Sequence, residues 1–272
     1  GNGVQVAGYR LGMILGGGVL LMALAWLGWR DAFLLMSGAL LLATVPIALH
    51  AEPAARPQPE GERPRLRAAV REHFQRAGAW RWALLLVLYK GFDALAKPII
   101  KPMMIDQGYD LADIGLMAGL TASIAGLLGA LGGGVAVKHI GRRRALVGFG
   151  ALQALAVATY AVPALGIGGV GSLYAAFILD EVAGSLATVA LFTLMMDRCA
   201  PGRGATDYTI QASVVVIAVG LTTTFSGFLA EPFVSGPLGG GYAAFYLVVA
   251  ALTLVGLLGA ARQIAVEPGR RG

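Results

Sequence analysis

Four ionisable side chains lie inside an apolar run that is long enough to cross a membrane. The segment Trp80–Ile105 contains Lys90, Asp93, Lys97 and Lys101, at spacings of three, four and four residues. On an α-helix these spacings place all four within an arc of roughly 80°, and the stripe rises about 16 Å along the axis. A charge at this depth costs on the order of 3 kcal/mol, so such residues normally face a bundle interior or a watery cavity. We therefore predict a charged path through the membrane, where these residues hold an anionic substrate or exchange ion-pair partners.

The same charges also have a purely structural interpretation. Asp93 could pair with Lys90 or Lys97 and so neutralise charge that would otherwise be buried alone. Three lysines outnumber one aspartate in this segment, and the positive charge left over favours a functional interpretation. Lys101 lies nearest the outer surface and can extend its ammonium group to water. Pro98 lacks a backbone N–H, so the sequence predicts a kink or a broken turn beside the charges.

A second acidic position lies at a similar depth in a later apolar span. Asp180 and Glu181 are about 15 Å into that span, which runs in the opposite direction to the helix of Asp93. Neighbouring residues on a helix point about 100° apart, so we expect only one of the two to face a cavity. A carboxyl group in a low-dielectric site can bind and release a proton near neutral pH, whereas one bound permanently to a lysine is structural. We predict that this acidic position faces Lys90 or Lys97 in at least one state.

The composition is that of a membrane protein. The chain is 57% hydrophobic and 13% charged, with a mean hydropathy of +0.72. The net charge of +6 comes from basic residues in short loops, which indicates membrane orientation rather than nucleic-acid binding. Cys199 is the only cysteine, and His50, His73 and His139 are scattered at or beyond helix ends, so we expect no metal site and no cofactor.

Eight apolar segments meet the requirement of roughly twenty residues for a membrane span. They are residues 5–26, 31–49, 82–104, 112–136, 144–162, 170–195, 208–230 and 241–262. Every second connection between them is basic, so the positive-inside rule places both ends of the chain in the cytoplasm. The prediction is an all-α polytopic protein of the inner membrane. Because the chain opens in apolar sequence without an initiator methionine, we expect it to be a fragment.

A long basic connection divides the chain. Residues 50–64 are rich in proline and charge and predict a flexible linker. Residues 65–82 predict an amphipathic helix on the inner membrane face, with Leu66, Val70 and Phe74 toward the lipid; the alternative is a solvated loop. The predicted parts are two helices in residues 1–50, the linker in residues 51–79, six helices in residues 80–264 and a tail in residues 265–272.

Six spans after a long loop resemble the C-terminal half of a major facilitator superfamily transporter. The turn Gly134–Arg144, GVAVKHIGRRR, resembles the signature of that superfamily, although Lys138 stands where the motif is acidic. The resemblance implies a partial major facilitator fold of eight transmembrane helices, in which the first two spans correspond to helices five and six of twelve. It also implies a substrate site at the midplane, between two six-helix halves.

Shorter segments resemble two branches of this superfamily. YKGFDALAKP (Tyr89–Pro98) and GYRLGM (Gly8–Met13) are similar to the AmpG-type muropeptide permeases. LDEVAGSLATVALFTLMMD (Leu179–Asp197) and ATDYTIQAS (Ala205–Ser213) are similar to permeases for siderophores of the rhizobactin and pyochelin type. The resemblance implies a secondary transporter, with proton-coupled import of a siderophore as the main reading and muropeptide import as the alternative. The siderophore-type motif also favours Glu181 over Asp180 as the coupling residue.

The remaining candidate residues lie near helix ends and interfaces. Arg10, in the fifth helix of the resemblance, is a further candidate for contact with substrate or ion. Asp207, Tyr208 and Gln211 begin the seventh span, where Asp207 could cap the helix or pair with Arg203, and together they form a possible gate. Small residues repeat at four-residue spacing, at Gly8, Gly12 and Gly16 and again at Gly115, Gly119, Ala122 and Gly126. These repeats predict close helix packing, either static or as a sliding seam.

Two other classes of function are less consistent with the sequence. A membrane acyltransferase would need a nucleophile or a histidine-based site at the membrane surface, and the three histidines lie in unrelated loops. A non-transporting sensor that keeps a transporter fold would be expected to have lost the charges inside its membrane spans. Those charges are present here. No G-x-x-x-x-G-K-[ST] signature occurs, so direct coupling to ATP is not indicated within this chain.

Overall fold

The computed structural model describes residues 20–49 and 66–266, besides Gly8, Leu11 and Gly12. Over these residues the chain is helical, with short turns and no strands, which confirms the predicted all-α class. The helices are α1 (Leu20–Leu49), α2 (Leu66–Gln75), α3 (Ala79–Ala94), α4 (Lys97–Asp106), α5 (Leu111–Ile114), α6 (Ala122–Ile140), α7 (Arg142–Thr159), α8 (Ala161–Ala164), α9 (Gly169–Asp197), α10 (Gly204–Val234) and α11 (Gly241–Val266). A wider π-helical stretch, Gly115–Thr121, joins α5 to α6.

Six helical stretches among the described residues are long and apolar enough to cross a membrane. They are Leu27–Val45, Gly115–Ile140, Arg142–Ala164, Gly169–Asp197, Gly204–Val234 and Gly241–Ala261. These correspond to six of the eight predicted spans. The first predicted span, residues 5–26, lies mostly outside the described residues. The third, residues 82–104, is divided between α3 and α4.

The division of the third span occurs at Leu95–Ala96, three residues before Pro98. Proline cannot donate a backbone hydrogen bond, and in a continuous helix its ring would also clash with the preceding turn. The amide of Ile99 bonds to the carbonyl of Ala96 rather than to that of Leu95. The Ser226 hydroxyl on α10 donates to the Leu95 carbonyl at 2.5 Å, so the carbonyl freed at the break is satisfied. The predicted broken turn beside the charges is confirmed.

Two glycines with positive φ interrupt the helical path of the chain. Gly28 (φ 75°) breaks α1 between the first and second predicted spans. The helix predicted over residues 65–82 ends at Gln75, because Gly78 (φ 82°) turns the chain into α3. Glycine adopts this left-handed backbone without the steric cost that a side chain would add. The predicted amphipathic helix is therefore shorter than expected and separate from the next helix.

Helix α9 is the centre of the six-helix part, packing extensively on α6 and α7, while α11 packs on α3 and α7. The close approach of α6 to α9 depends on Gly129, where a Cβ atom would lie 2.7 Å from the Val182 carbonyl oxygen. The two ends of the small-residue repeat that begins at Gly115 differ in burial: Gly115 and Gly119 are exposed, whereas Gly126 is buried. Tight helix packing is therefore found from Ala122 onward, in the second half of this repeat and at Gly129.

Apolar side chains form two separate buried clusters, one toward each end of the bundle. One cluster includes Leu86, Tyr89, Leu146, Ala187 and Leu191. The other includes Leu95, Val157, Phe177, Phe245 and Tyr246. Between these clusters, α3, α7 and α9 carry the buried polar side chains of Asp93, Gln153, Asp180 and Glu181. The fold thus places a polar layer between two apolar clusters.

Candidate functional site

The polar layer contains one connected group of side chains, which we call the charged layer. Its members are Lys90 and Asp93 on α3, Lys97 at the start of α4, Gln153 on α7, and Asp180 and Glu181 on α9. The three acidic residues and Gln153 are buried, with 2% to 8% of their surface exposed. Buried charges require partners, because an unpaired charge in a low-dielectric interior is costly.

Lys90 and Asp93 form the first ion pair. The Lys90 Nζ atom lies 3.2 Å from Asp93 Oδ2, one helical turn along α3. Beside this pair, the Tyr89 hydroxyl donates to the Leu146 carbonyl at 3.1 Å and so joins α3 to α7. The pair agrees with the prediction that Asp93 neutralises one of the lysines of its own segment.

Lys97 forms the second ion pair, with the acidic position on α9. Its Nζ atom donates to Glu181 Oε1 at 2.5 Å and lies 3.9 Å from Asp180 Oδ2. The predicted contact between this acidic position and Lys97 is therefore present. The expectation that only one of the two acids faces the site is wrong. The long lysine side chain enters at the helix break and reaches both carboxylates, although their Cα–Cβ bonds diverge.

Gln153 joins the two ion pairs. Its Nε2 atom donates to Asp93 Oδ1 at 2.5 Å and to Asp180 Oδ1 at 2.7 Å. The Tyr160 hydroxyl donates to the other oxygen of Asp180 at 3.4 Å. Sequence reasoning missed Gln153; the available signal was a single amide in the middle of the otherwise apolar span 144–162.

The charged layer has more acid than base. Two lysines face three carboxylates, so the layer carries one net negative charge when all five groups are ionised. Access to it is uneven: the Lys97 side chain is 40% exposed, whereas that of Lys90 is 13% exposed and that of Asp180 2%. Lys101, predicted to share the stripe, is exposed and lies outside the layer. Lys97 is therefore the cation of the layer that an anion from outside can reach.

A small cavity adjoins the first ion pair. It is lined by Lys90, Asp93, Gln153 and Thr253, among others. The cavity has room for about one water molecule. This cavity is thus too small for a ligand much larger than water.

The threonines of the seventh predicted span take no part in the charged layer. Thr222, Thr223 and Thr224 each donate to the carbonyl four residues back, at 2.8 to 2.9 Å. Such bonds to the preceding turn are typical of hydroxyl groups inside membrane helices. Ser226 differs, because its partner is the carbonyl at the break between α3 and α4.

Asp207, predicted as part of a gate, anchors the short helix α2. Its carboxylate accepts from Arg76 at 2.6 Å and from the Ala200 backbone N–H at 2.9 Å, and it lies 3.1 Å from His73 Nδ1. We call the contacts of His73, Arg76 and Asp207 the latch. The suggested pair with Arg203 is wrong: Arg203 bonds instead to Glu72. Asp207 lies in the first turn of α10 and faces α2, where Arg76 reaches it.

Gln211 and Tyr208 lie next to the latch. The Trp82 indole N–H donates to Gln211 Oε1 at 2.6 Å, and Gln211 Nε2 donates to the Met195 carbonyl at 3.1 Å. The Tyr208 ring meets that of Phe192 edge-on, with centroids 6.1 Å apart. These contacts join the ends of α3, α9 and α10, and a gating role for them stays a prediction. Arg10 lies outside the described residues.

A helical membrane protein with a charged layer enclosed between apolar layers has the architecture of a transporter. The sequence profile of the Major Facilitator Superfamily matches residues 1–223. The chain belongs to this superfamily, and the eight-helix partial fold predicted from the sequence is consistent with that membership.

The chain is similar to curated relatives of about twice its length. The anhydromuropeptide permease of Escherichia coli K12 is 30% identical over 261 residues, which cover 95% of this chain and 52% of the relative. A putative transporter AmpG 4 of Rickettsia felis is 23% identical over 239 residues, covering 83% of this chain and 56% of the relative. These relatives confirm the AmpG-type resemblance. They do not support the closer resemblance to siderophore permeases.

Proposed function

We propose that the protein containing this chain is an inner-membrane permease that imports anionic muropeptides together with protons. The observation that carries this proposal is the charged layer, in which a half-exposed lysine lies against an excess of carboxylates. The similarity to an anhydromuropeptide permease over 95% of the chain supports the substrate class. The chain would supply the last two helices of one transporter half and the six helices of the other.

Lys97 is the residue we expect to contact the substrate. A muropeptide carries peptide carboxylates, which suit a lysine ammonium group. The ammonium group of Lys97 is shared between Glu181 and Asp180, so an arriving anion competes with two carboxylates for one cation. Substrate binding therefore changes the partners of Lys97 between the empty and the loaded state. A ligand-driven switch requires such a difference in interaction between its two states.

Coupling to protons follows from the same competition. If the substrate takes Lys97 away from Glu181, two neighbouring carboxylates on α9 lose their cation. Unpaired, adjacent carboxylates in a low-dielectric site favour the uptake of a proton by one of them. Substrate and proton then enter the site together, which is the stoichiometry of a symporter. Lys90 and Asp93 would stay paired in this step, and Asp93 would keep its bond to Gln153.

The proposed orientation places the basic connections and the latch in the cytoplasm. The proposed parts keep their predicted bounds: residues 1–50 and 80–264 span the membrane, residues 51–79 connect the two halves, and residues 265–272 form a tail. In this arrangement α2 rests on the cytoplasmic end of α10, where the latch holds it.

Siderophore import is the second candidate. It is favoured by the resemblance of Leu179–Asp197 and Ala205–Ser213 to siderophore permeases. The second segment carries less weight for the substrate, because Asp207 and Gln211 contact α2, α3 and α9 at one end of the bundle rather than the charged layer. The first segment contains Asp180 and Glu181 of the charged layer, but the similarity to an anhydromuropeptide permease extends over 95% of the chain and makes muropeptide import the better-supported proposal.

Complementation by the complete gene tests the proposed function. In a strain without its own muropeptide permease, the gene should restore uptake of an anhydromuropeptide, and a protonophore should abolish that uptake. Lys97→Ala should weaken substrate binding, while Lys101→Ala, which removes an exposed lysine outside the layer, serves as the matched control. Growth on a ferric siderophore in an iron-starved strain, without muropeptide uptake, would overturn the substrate assignment.

A further inference from the structure

Gln153 is a buried amide that lies between the two helices carrying the acidic residues of the charged layer. It lies in the middle of α7, is 2% exposed and faces both α3 and α9. On the α9 side its amide rests against Gly184, where a Cβ atom would lie 3.2 Å from Gln153 Oε1. The absence of a side chain at Gly184 thus leaves room for the amide between the two helices.

The amide nitrogen of Gln153 holds two carboxylates from different ion pairs. Its bonds of 2.5 and 2.7 Å keep one oxygen of Asp93 and one of Asp180 within about 5 Å of each other. Two carboxylates at that separation repel strongly in a low-dielectric interior. A neutral group that donates to both offsets this repulsion without adding a charge.

We propose that Gln153 is the positioning residue that joins the Lys90–Asp93 pair to the Lys97–Asp180–Glu181 group, so that a change in one is transmitted to the other. The proposal rests on the proposed function, because joined ion pairs matter to transport only if their partners change. Gln153 does not contact the substrate. It acts through the two aspartates.

The Gln153 amide can also form a hydrogen bond with the charged layer when one of its carboxyl groups carries a proton. Among the described residues, no group donates to Gln153 Oε1. If Asp180 takes a proton, its new O–H can donate to this oxygen after the amide rotates, while the N–H groups keep their bond to Asp93. The proton is bound by a carboxylate oxygen, and no covalent bond of the amide changes. Gln153 therefore provides a hydrogen-bond partner for both protonation states.

Uptake by the full-length protein tests this role. Gln153→Met keeps the length of the side chain and removes both donors, so proton-driven uptake should fall about tenfold or more, while exchange of substrate across the membrane stays within about threefold. Gln153→Glu adds a fourth carboxylate to the layer at neutral pH, but at acid pH its protonated form donates again. Its uptake should therefore recover as the pH falls, whereas that of Gln153→Met should not. Gly148→Ala, on the same helix with open space around it, is the control.

A purely structural role predicts a different pattern. Equal loss of uptake and exchange in Gln153→Met, without recovery of Gln153→Glu at acid pH, would overturn the proposal. So would a wild-type pH profile in both variants.

A second measurement does not depend on the substrate. Hydrogen exchange in the full-length protein reports local opening of the helices. Asp93→Asn should raise the rate of hydrogen exchange at the backbone amides around Asp180 by about threefold or more when Gln153 is present. In the Gln153→Met background, Asp93→Asn should not raise that rate further. An equal increase in both backgrounds would refute the link. If this coupling is observed in a protein that takes up no muropeptide, the substrate assignment fails and the role of Gln153 stands.

Discussion

Neutralising the two partners of the second ion pair, separately and together, tests how the charged layer is balanced. Lys97→Gln leaves one lysine against three carboxylates, a net charge of −2, whereas Glu181→Gln leaves a neutral layer. The double variant returns to the wild-type net charge of −1. We expect Lys97→Gln to be the least stable of the three, and the double variant to be more stable than Lys97→Gln.

The distances give the size of the effect. At an effective dielectric constant of about 20, Lys97 is attracted to Glu181 at 2.5 Å by about 7 kcal/mol and to Asp180 at 3.9 Å by about 4 kcal/mol. Because the Lys97 side chain is 40% exposed, hydration and side-chain entropy offset most of this, and we expect a net coupling of about 2 kcal/mol. Glu181→Gln should cost less than Lys97→Gln, since Lys97 keeps Asp180 as a partner.

The assay is thermal unfolding of the full-length protein in detergent, with all four members of the cycle measured together. For a protein of about twice this chain's length, a coupling of about 2 kcal/mol corresponds to a difference in Tm of about 2 °C. Uptake is measured on the same variants: Glu181→Gln should abolish uphill uptake and leave exchange measurable. Additive changes in Tm, to within about 1 °C, would refute the ion-pair reasoning. Normal proton-driven accumulation by both Glu181→Gln and Asp180→Asn would show these carboxyls to be structural.

Three further predictions concern the bundle ends and the helix contacts. Cys199 should react with a membrane-impermeant thiol reagent from the cytoplasmic side only, and labelling from outside intact cells would contradict the orientation. Burial and the Asp207 carboxylate nearby raise the pKa of the Cys199 thiol, so labelling should need a pH above the usual thiol range; Asp207→Asn should speed it at fixed pH by removing that charge and opening the latch. Unchanged labelling kinetics in Asp207→Asn would argue against the latch. Gly129→Ala should cost about 1 to 3 kcal/mol, because its Cβ would meet the α9 backbone at 2.7 Å. Gly132→Ala on the same helix has open space around it, and an equal change in Tm in both would refute the close approach.

Features that depend on residues close together in the chain were predictable from the sequence. Membrane spans follow from the length of apolar runs, so six of the eight predicted segments coincide with helices in the described part of the chain. The broken turn before Pro98 follows from its missing N–H, and the bonds of Thr222 to Thr224 follow from their place inside a helix. The pairing of Lys90 with Asp93 follows from their three-residue spacing on one helix.

Contacts between distant residues were decided by the tertiary structure. Gln153 meets Asp93 across 60 positions, Lys97 meets Glu181 across 84, and Asp207 meets Arg76 across 131. Which of these groups face one another depends on how far each helix rotates and how closely it packs, and α9 approaches α6 closely because Gly129 has no side chain. The sequence therefore indicated that acids and lysines share one depth in the membrane. Only the packing of α3, α7 and α9 determined that both acids face Lys97 and that an amide links the two pairs.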